Sequence, residues 1–182
     1  MRLLKLLFFF LLLLNAQSTP FAYANVEPNQ NVVRSYIELI DKREWSGIPP
    51  LWVKNQSELL INFFTNEQNR NNRLGLFNIE NAKLVALKQI PYDYGKNDMP
   101  TRYIEYFTAP EIYYVAVDYN VYREDKYHIN GVNYFFIVTV LEDGKRKIAL
   151  TPHVPVNQII SDGYGFGTAD ERTFFERRTK YK

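Results

Sequence analysis

The chain has 182 residues, with 22 lysines and arginines against 20 aspartates and glutamates, no cysteine, 14 tyrosines and 13 phenylalanines. Without cysteine there is no disulfide, thiol nucleophile or thiolate metal site, and the length suits one domain of ordinary size. The near balance of charge gives no general electrostatic drive toward nucleic acid, which depends on clustered positive charge.

Residues 1–24, "MRLLKLLFFFLLLLNAQSTPFAYA", read as an export signal. Arg2 and Lys5 form the basic start, Leu6 to Leu14 the apolar run, and Ala22-Tyr23-Ala24 the small-residue cleavage pattern. A membrane-spanning helix needs about 20 apolar residues, so this run is too short to be an anchor. Cleavage takes Arg2 and Lys5 away and leaves residues 25–182 formally neutral. The expectation is a single secreted or cell-envelope-associated α+β domain over 25–182, with no transmembrane segment after signal removal.

In "VVRSYIELIDKREW", Val33, Tyr36, Ile37 and Ile40 recur at helical spacing, which predicts a helix over about 30–45 stopped by Gly47 and Pro49-Pro50. A second helix is expected over 55–69. There, Asn55 and Glu58 have capping-box spacing, and Leu60, Phe63 and Phe64 form an apolar stripe.

From residue 74 the period shortens. Ala82, Leu84 and Ala86 alternate with Lys83, Val85 and Leu87, predicting a strand over about 81–90. "PYDYGKNDMPT", residues 91–101, reads as a loop, and its Tyr92 and Tyr94 suit the rim of a groove. Further strands are expected at 103–122, bent or broken at Pro110, at 132–142 and at 145–151. In the first of them Tyr113, Val115, Val117, Tyr119 and Val121 share a face suited to helix packing. Ile112, Tyr114, Ala116, Asp118, Asn120 and Tyr122 share a more mixed face, suited to solvent, a groove or another subunit. A single β-bulge would shift this alternation.

"YREDKYHINGVNYFF", residues 122–136, is rich in reactive side chains, but Asn130-Gly131 marks it as a hairpin end, as Asp143-Gly144 does further on. His128 and His153 are the only histidines, and neither lies at a spacing that compels metal binding or catalysis. No serine occupies a nucleophile elbow. The glycines at 163, 165 and 167 lack the spacing of a nucleotide-binding loop and suit tight turns around Tyr164 and Phe166. Thr168, with Glu171 three residues on, suits the start of a short C-terminal helix. No catalytic residue, metal ligand or cofactor is assigned.

Taken together, "SYIELIDKREW", "LLINFFTNEQNRNNRLGLFNIENAKLVALKQI", "YYVAVDYNVYREDKYHINGVNYFFIVTVLEDGKRKIAL" and "DGYGFGTADE" resemble a secreted domain of spore-forming Gram-positive bacteria, found alone or ahead of an amidase-like domain. The order of elements also resembles the NTF2-like or cystatin-like arrangement, helices packed into a curved, predominantly antiparallel sheet. The resemblance implies an accessory role. The leading expectation is an exported, non-catalytic domain that binds a cell-wall component, peptide or exported protein. It would do so through an aromatic sheet face carrying Tyr114, Asp118 and Tyr122, with Tyr92 and Tyr94 at the rim. The alternatives are a small hydrolase using Asp118 with a histidine, and a structural homodimer joined through the mixed face.

Overall fold

The computed structural model describes residues 28–181; the export signal expected over residues 1–24 lies outside them. Helix α1, Asn31–Asp41, buries Val32, Val33, Tyr36, Ile37 and Ile40, the face its periodicity predicts. It ends before residue 45 because the chain reverses at Arg43, whose φ is 56°. There the Glu44 N–H donates to the Leu39 carbonyl at 2.9 Å and the Arg43 N–H to that of Ile40 at 3.0 Å, the hydrogen-bond pattern that closes a helix.

The expected second helix is divided into α2, Lys54–Thr65, and α3, Glu67–Asn71. Asn66 makes the division, leaving helical geometry so that its side chain can accept from the N–H groups of Gln68 and Asn69. The capping box at Asn55 and Glu58 does not form. Val53 holds the cap position, and the Lys54 N–H donates instead to the Glu142 carboxylate at 3.0 and 3.2 Å. That distant acid meets the positive end of the helix dipole.

Four antiparallel strands lie in the order β1-β2-β3-β4. Their spans are β1, Ile79–Ile90; β2, Thr108–Val121; β3, Gly131–Glu142; and β4, Lys145–Leu150. Asp143 and Gly144 both take positive φ, 51° and 72°, giving the tight β3–β4 turn expected of that pair. The β2–β3 connection is longer than a tight hairpin. It occupies the stretch between Val121 and Gly131, and of the Asn130-Gly131 pair only Gly131 has a positive φ.

The region between β1 and β2 is not simply loop and strand. It forms α4, Tyr92–Gly95, and α5, Thr101–Ile104, so β2 begins only at Thr108. The register shift between Thr108 and Glu111 spans Pro110, as a residue without an amide donor requires.

One sheet face behaves as expected: Tyr113, Val115, Val117, Tyr119 and Val121 pack with Val33, Tyr36, Ile37 and Ile40 of α1. The opposite face is not an open groove. Ile112, Tyr114 and Ala116 are buried beneath the 92–107 segment and two C-terminal helices, α6, Val156–Ser161, and α7, Ala169–Thr179. A bulge in β1 also alters the expected alternation. Leu84 pairs with Val117 and Ala86 with Ala116, leaving Val85 as the extra, exposed residue. Leu84 and Leu87 thereby join the α1 side while Ala86 packs on the other.

Candidate functional site

Because β4 stops at Leu150, the outer edge of β3 near Phe135 is left for the following connector. This connector pairs there, with a bridge between Phe135 and His153 and a hydrogen bond of 3.1 Å from the Phe136 N–H to the Pro152 carbonyl. The β2–β3 loop folds over the same region. A cavity of about 360 Å³ remains, with Tyr36, Tyr119, Tyr127, His128, Thr151 and His153 among its lining residues.

The loop is held by local side-chain bonds. Asp125 Oδ1 accepts from the N–H groups of Tyr127 and His128, each at 2.8 Å. Buried Asn133 donates to the Ile129 and Gly131 carbonyls at 2.7 Å and accepts from the Ile129 N–H at 3.3 Å. From α7, Arg177 donates to the carbonyls of Asn130 and Val132, at 3.1 and 2.6 Å, and Arg178 donates to that of Lys126 at 3.1 Å. The C-terminal helix therefore holds the loop in place.

The His128 ring meets Tyr119 edge to face, with centroids 5.8 Å apart, and His153 stacks on Tyr127 at 6.0 Å. Burial lowers the His128 pKa; Arg178 acts in the same direction and Asp125 against both. Burial, Arg178 and His128 push His153 down to about 4. Both imidazoles are accordingly neutral at pH 7. His128 Nδ1 is buried with no hydrogen-bond partner, and the nearest Asp125 oxygen is 3.8 Å away. No carboxylate, serine, lysine or arginine is among the lining residues. The arrangement can hold a ring between aromatic walls and exchange hydrogen bonds with it. Among the described residues, no cluster of three or more histidine, aspartate or glutamate side chains is arranged to hold a metal ion.

The residues selected from sequence lie elsewhere. Tyr114 is fully buried, corrected from a groove position because the C-terminal segment covers it, and its hydroxyl donates to Glu171 at 2.9 Å. Asp118 is exposed, opposite Lys83 and Val132 in the sheet, and is not in the wall that holds the histidines. The Asp118–histidine pair of the hydrolase reading is therefore not assembled. Tyr122 stacks under Arg73, with the guanidinium carbon 3.6 Å from its ring centroid. The Tyr94 hydroxyl donates to Asp162 at 2.8 Å, and the ring lies 4.3 Å from that of Tyr164. Tyr92 is half-buried, with Lys96 Nζ 5.9 Å from its ring centroid. These five side chains do not form one surface.

Both histidines are conspicuous in the sequence, yet their convergence depends on β4 being shorter than β3, which residue alternation does not encode. No helix among the described residues is long and apolar enough to cross a membrane. Comparisons with protein-family models, curated proteins and solved structures find no match to this chain.

Proposed function

We propose that the protein is an exported, non-catalytic binding domain whose ligand enters the His128–His153 cavity instead of lying on the sheet face. The ligand is an uncharged ring-bearing group, such as the aromatic side chain of an exported or cell-envelope peptide. The observation that carries this reading is the convergence of two neutral imidazoles with Tyr36, Tyr119 and Tyr127 around one mostly apolar hollow. A volume of about 360 Å³ suits a single ring with its substituents.

The test is ring-proton NMR of the two histidines during titration with tyrosine- and phenylalanine-containing peptides and matched alanine peptides. Saturable shifts of both imidazoles with the aromatic peptides alone, lost in Tyr127→Ala, support the assignment. Saturable binding that leaves both imidazole signals unmoved would place the ligand elsewhere and sink it.

A further inference from the structure

A second site lies where α1 and α3 end. At each terminus the residue that turns the chain is an arginine with positive φ, Arg43 at 56° and Arg73 at 52°. At α3 the Leu74 N–H donates to the Asn69 carbonyl at 2.9 Å and the Arg73 N–H to that of Arg70 at 3.0 Å, repeating the closure of α1. Glycine or asparagine fills this position at least conformational cost. A cation is welcome at the negative end of a helix dipole, but this does not explain why arginines from two helices face one hollow.

Arg43, Trp45, Arg70, Arg73, Phe77 and Tyr122 line that hollow of about 220 Å³. Arg73 lies 3.6 Å and Arg43 5.8 Å from the Tyr122 ring centroid, and Arg70 lies 5.6 Å from that of Phe77. Stacking uses the flat face of a guanidinium and leaves its in-plane N–H groups available. Arg43 spends Nε and Nη2 on the Glu80 carbonyl, at 3.2 and 2.9 Å. Among the described residues none of the three arginines forms an ion pair. Glu44 lines a neighbouring hollow with Arg43 and Arg70, and Glu67 lines the cleft that continues from the arginine hollow.

The arginine hollow shares Trp45 and Arg70 with a cleft of about 420 Å³, also walled by Pro49, Phe64 and exposed Ile61. Cationic donors thus adjoin a mostly apolar trough, whose wall also carries Ser46, Thr65 and Glu67. We infer that this surface binds an anionic amphiphile: a phosphate group held by Arg70 and Arg73, with its apolar chain along Trp45 and Ile61. Guanidinium groups match phosphate oxygens in both charge and planar donor geometry.

The probe is decyl phosphate below its micelle concentration, read by Trp45 fluorescence in the full domain carrying Trp52→Phe. Inorganic phosphate and decyltrimethylammonium are the comparison ligands. Decyl phosphate is expected to bind at least about tenfold more tightly than either, and Arg70→Gln with Arg73→Gln to weaken it about tenfold or more. The separate surface change Ile61→Glu is expected to weaken it too, with unchanged circular dichroism confirming that each variant is folded. Equal affinity for the cationic amphiphile, or undiminished binding by the folded variants, overturns the assignment. Vesicles with and without phosphatidic acid distinguish the source: retention on the acidic vesicles assigns a membrane headgroup, and binding of monomer alone assigns a soluble amphiphile. His153→Ala leaves this binding unchanged, separating it from the histidine cavity.

Discussion

The Tyr114 hydroxyl donates to the buried Glu171 carboxylate at 2.9 Å, joining the centre of β2 to the first turn of α7. The same carboxylate accepts from the N–H groups of Phe166 and Gly167, at 3.0 and 2.8 Å. The Phe166 ring stacks on Tyr114 with centroids 4.8 Å apart. Tyr114→Phe removes one donor and leaves the acid its two backbone partners, so a loss of about 1–2 kcal/mol is expected. Glu171→Ala leaves three donors without their shared acceptor and should cost about 3 kcal/mol or more. Urea unfolding of both variants checks the order, and equal losses would show that the carboxylate is not the centre of the contact.

Acid should weaken the fold through the histidines. Their folded pKa values lie below the ordinary value near 6.5, that of His153 at about 4, so the unfolded chain takes up protons first. Stability is therefore fully present above about pH 6.5 and falls as pH drops toward about 4. Thermal melts over that window should show a smaller fall for His153→Gln than for the native chain. An identical fall would place the acid sensitivity elsewhere.

Gly95 closes α4 against the sheet. A Cβ there would stand 2.7 Å from Ile112 Cδ1 and 3.4 Å from Phe136 Cε2. Its φ of −74° is ordinary, so Gly95→Ala tests packing without backbone strain. Overpacking at this site should cost about 1–3 kcal/mol. Partial rescue by Ile112→Val, which removes the nearest methyl, is expected in a double-mutant cycle.

Asn133→Ala should release the β2–β3 loop. It leaves the Ile129 N–H and the Ile129 and Gly131 carbonyls without their side-chain partner, a cost of about 2–3 kcal/mol. Hydrogen exchange should accelerate over residues 122–131 before it does in the centre of β2, and uniform acceleration would argue for a global role instead.

The α+β class, the apolar face of α1, the helix-facing set on β2 and the Asp143-Gly144 turn were legible because each depends on neighbours a few residues apart. The burial of Tyr114 was not. What covers it arrives from residues 156–179, and α7 offers little apolar periodicity, burying only Glu171 and Phe174. Thr168 does cap that helix, accepting from the Glu171 N–H at 3.2 Å, but the Glu171 carboxylate turns toward the sheet instead of completing a capping box. The bulge at Val85 misassigned Ala86 for the reason that makes alternation useful: one inserted residue reverses every later face. The arginine hollow was illegible because its members come from α3, from the turns after α1 and α3, from the start of β1 and from Tyr122 just past β2.

The closing turn of α1 also guards the outer edge of β1. Asp41 accepts from the Ala82 N–H at 3.0 Å, while Arg43 occupies the Glu80 carbonyl. At the opposite edge, Trp52 bridges to Ile148, and the Val53 N–H donates to the Ile148 carbonyl at 2.9 Å. An uncovered edge strand is a template for another chain. Both borders of this sheet are met by the chain's own residues at these positions, which protects a domain without disulfides from self-templated aggregation.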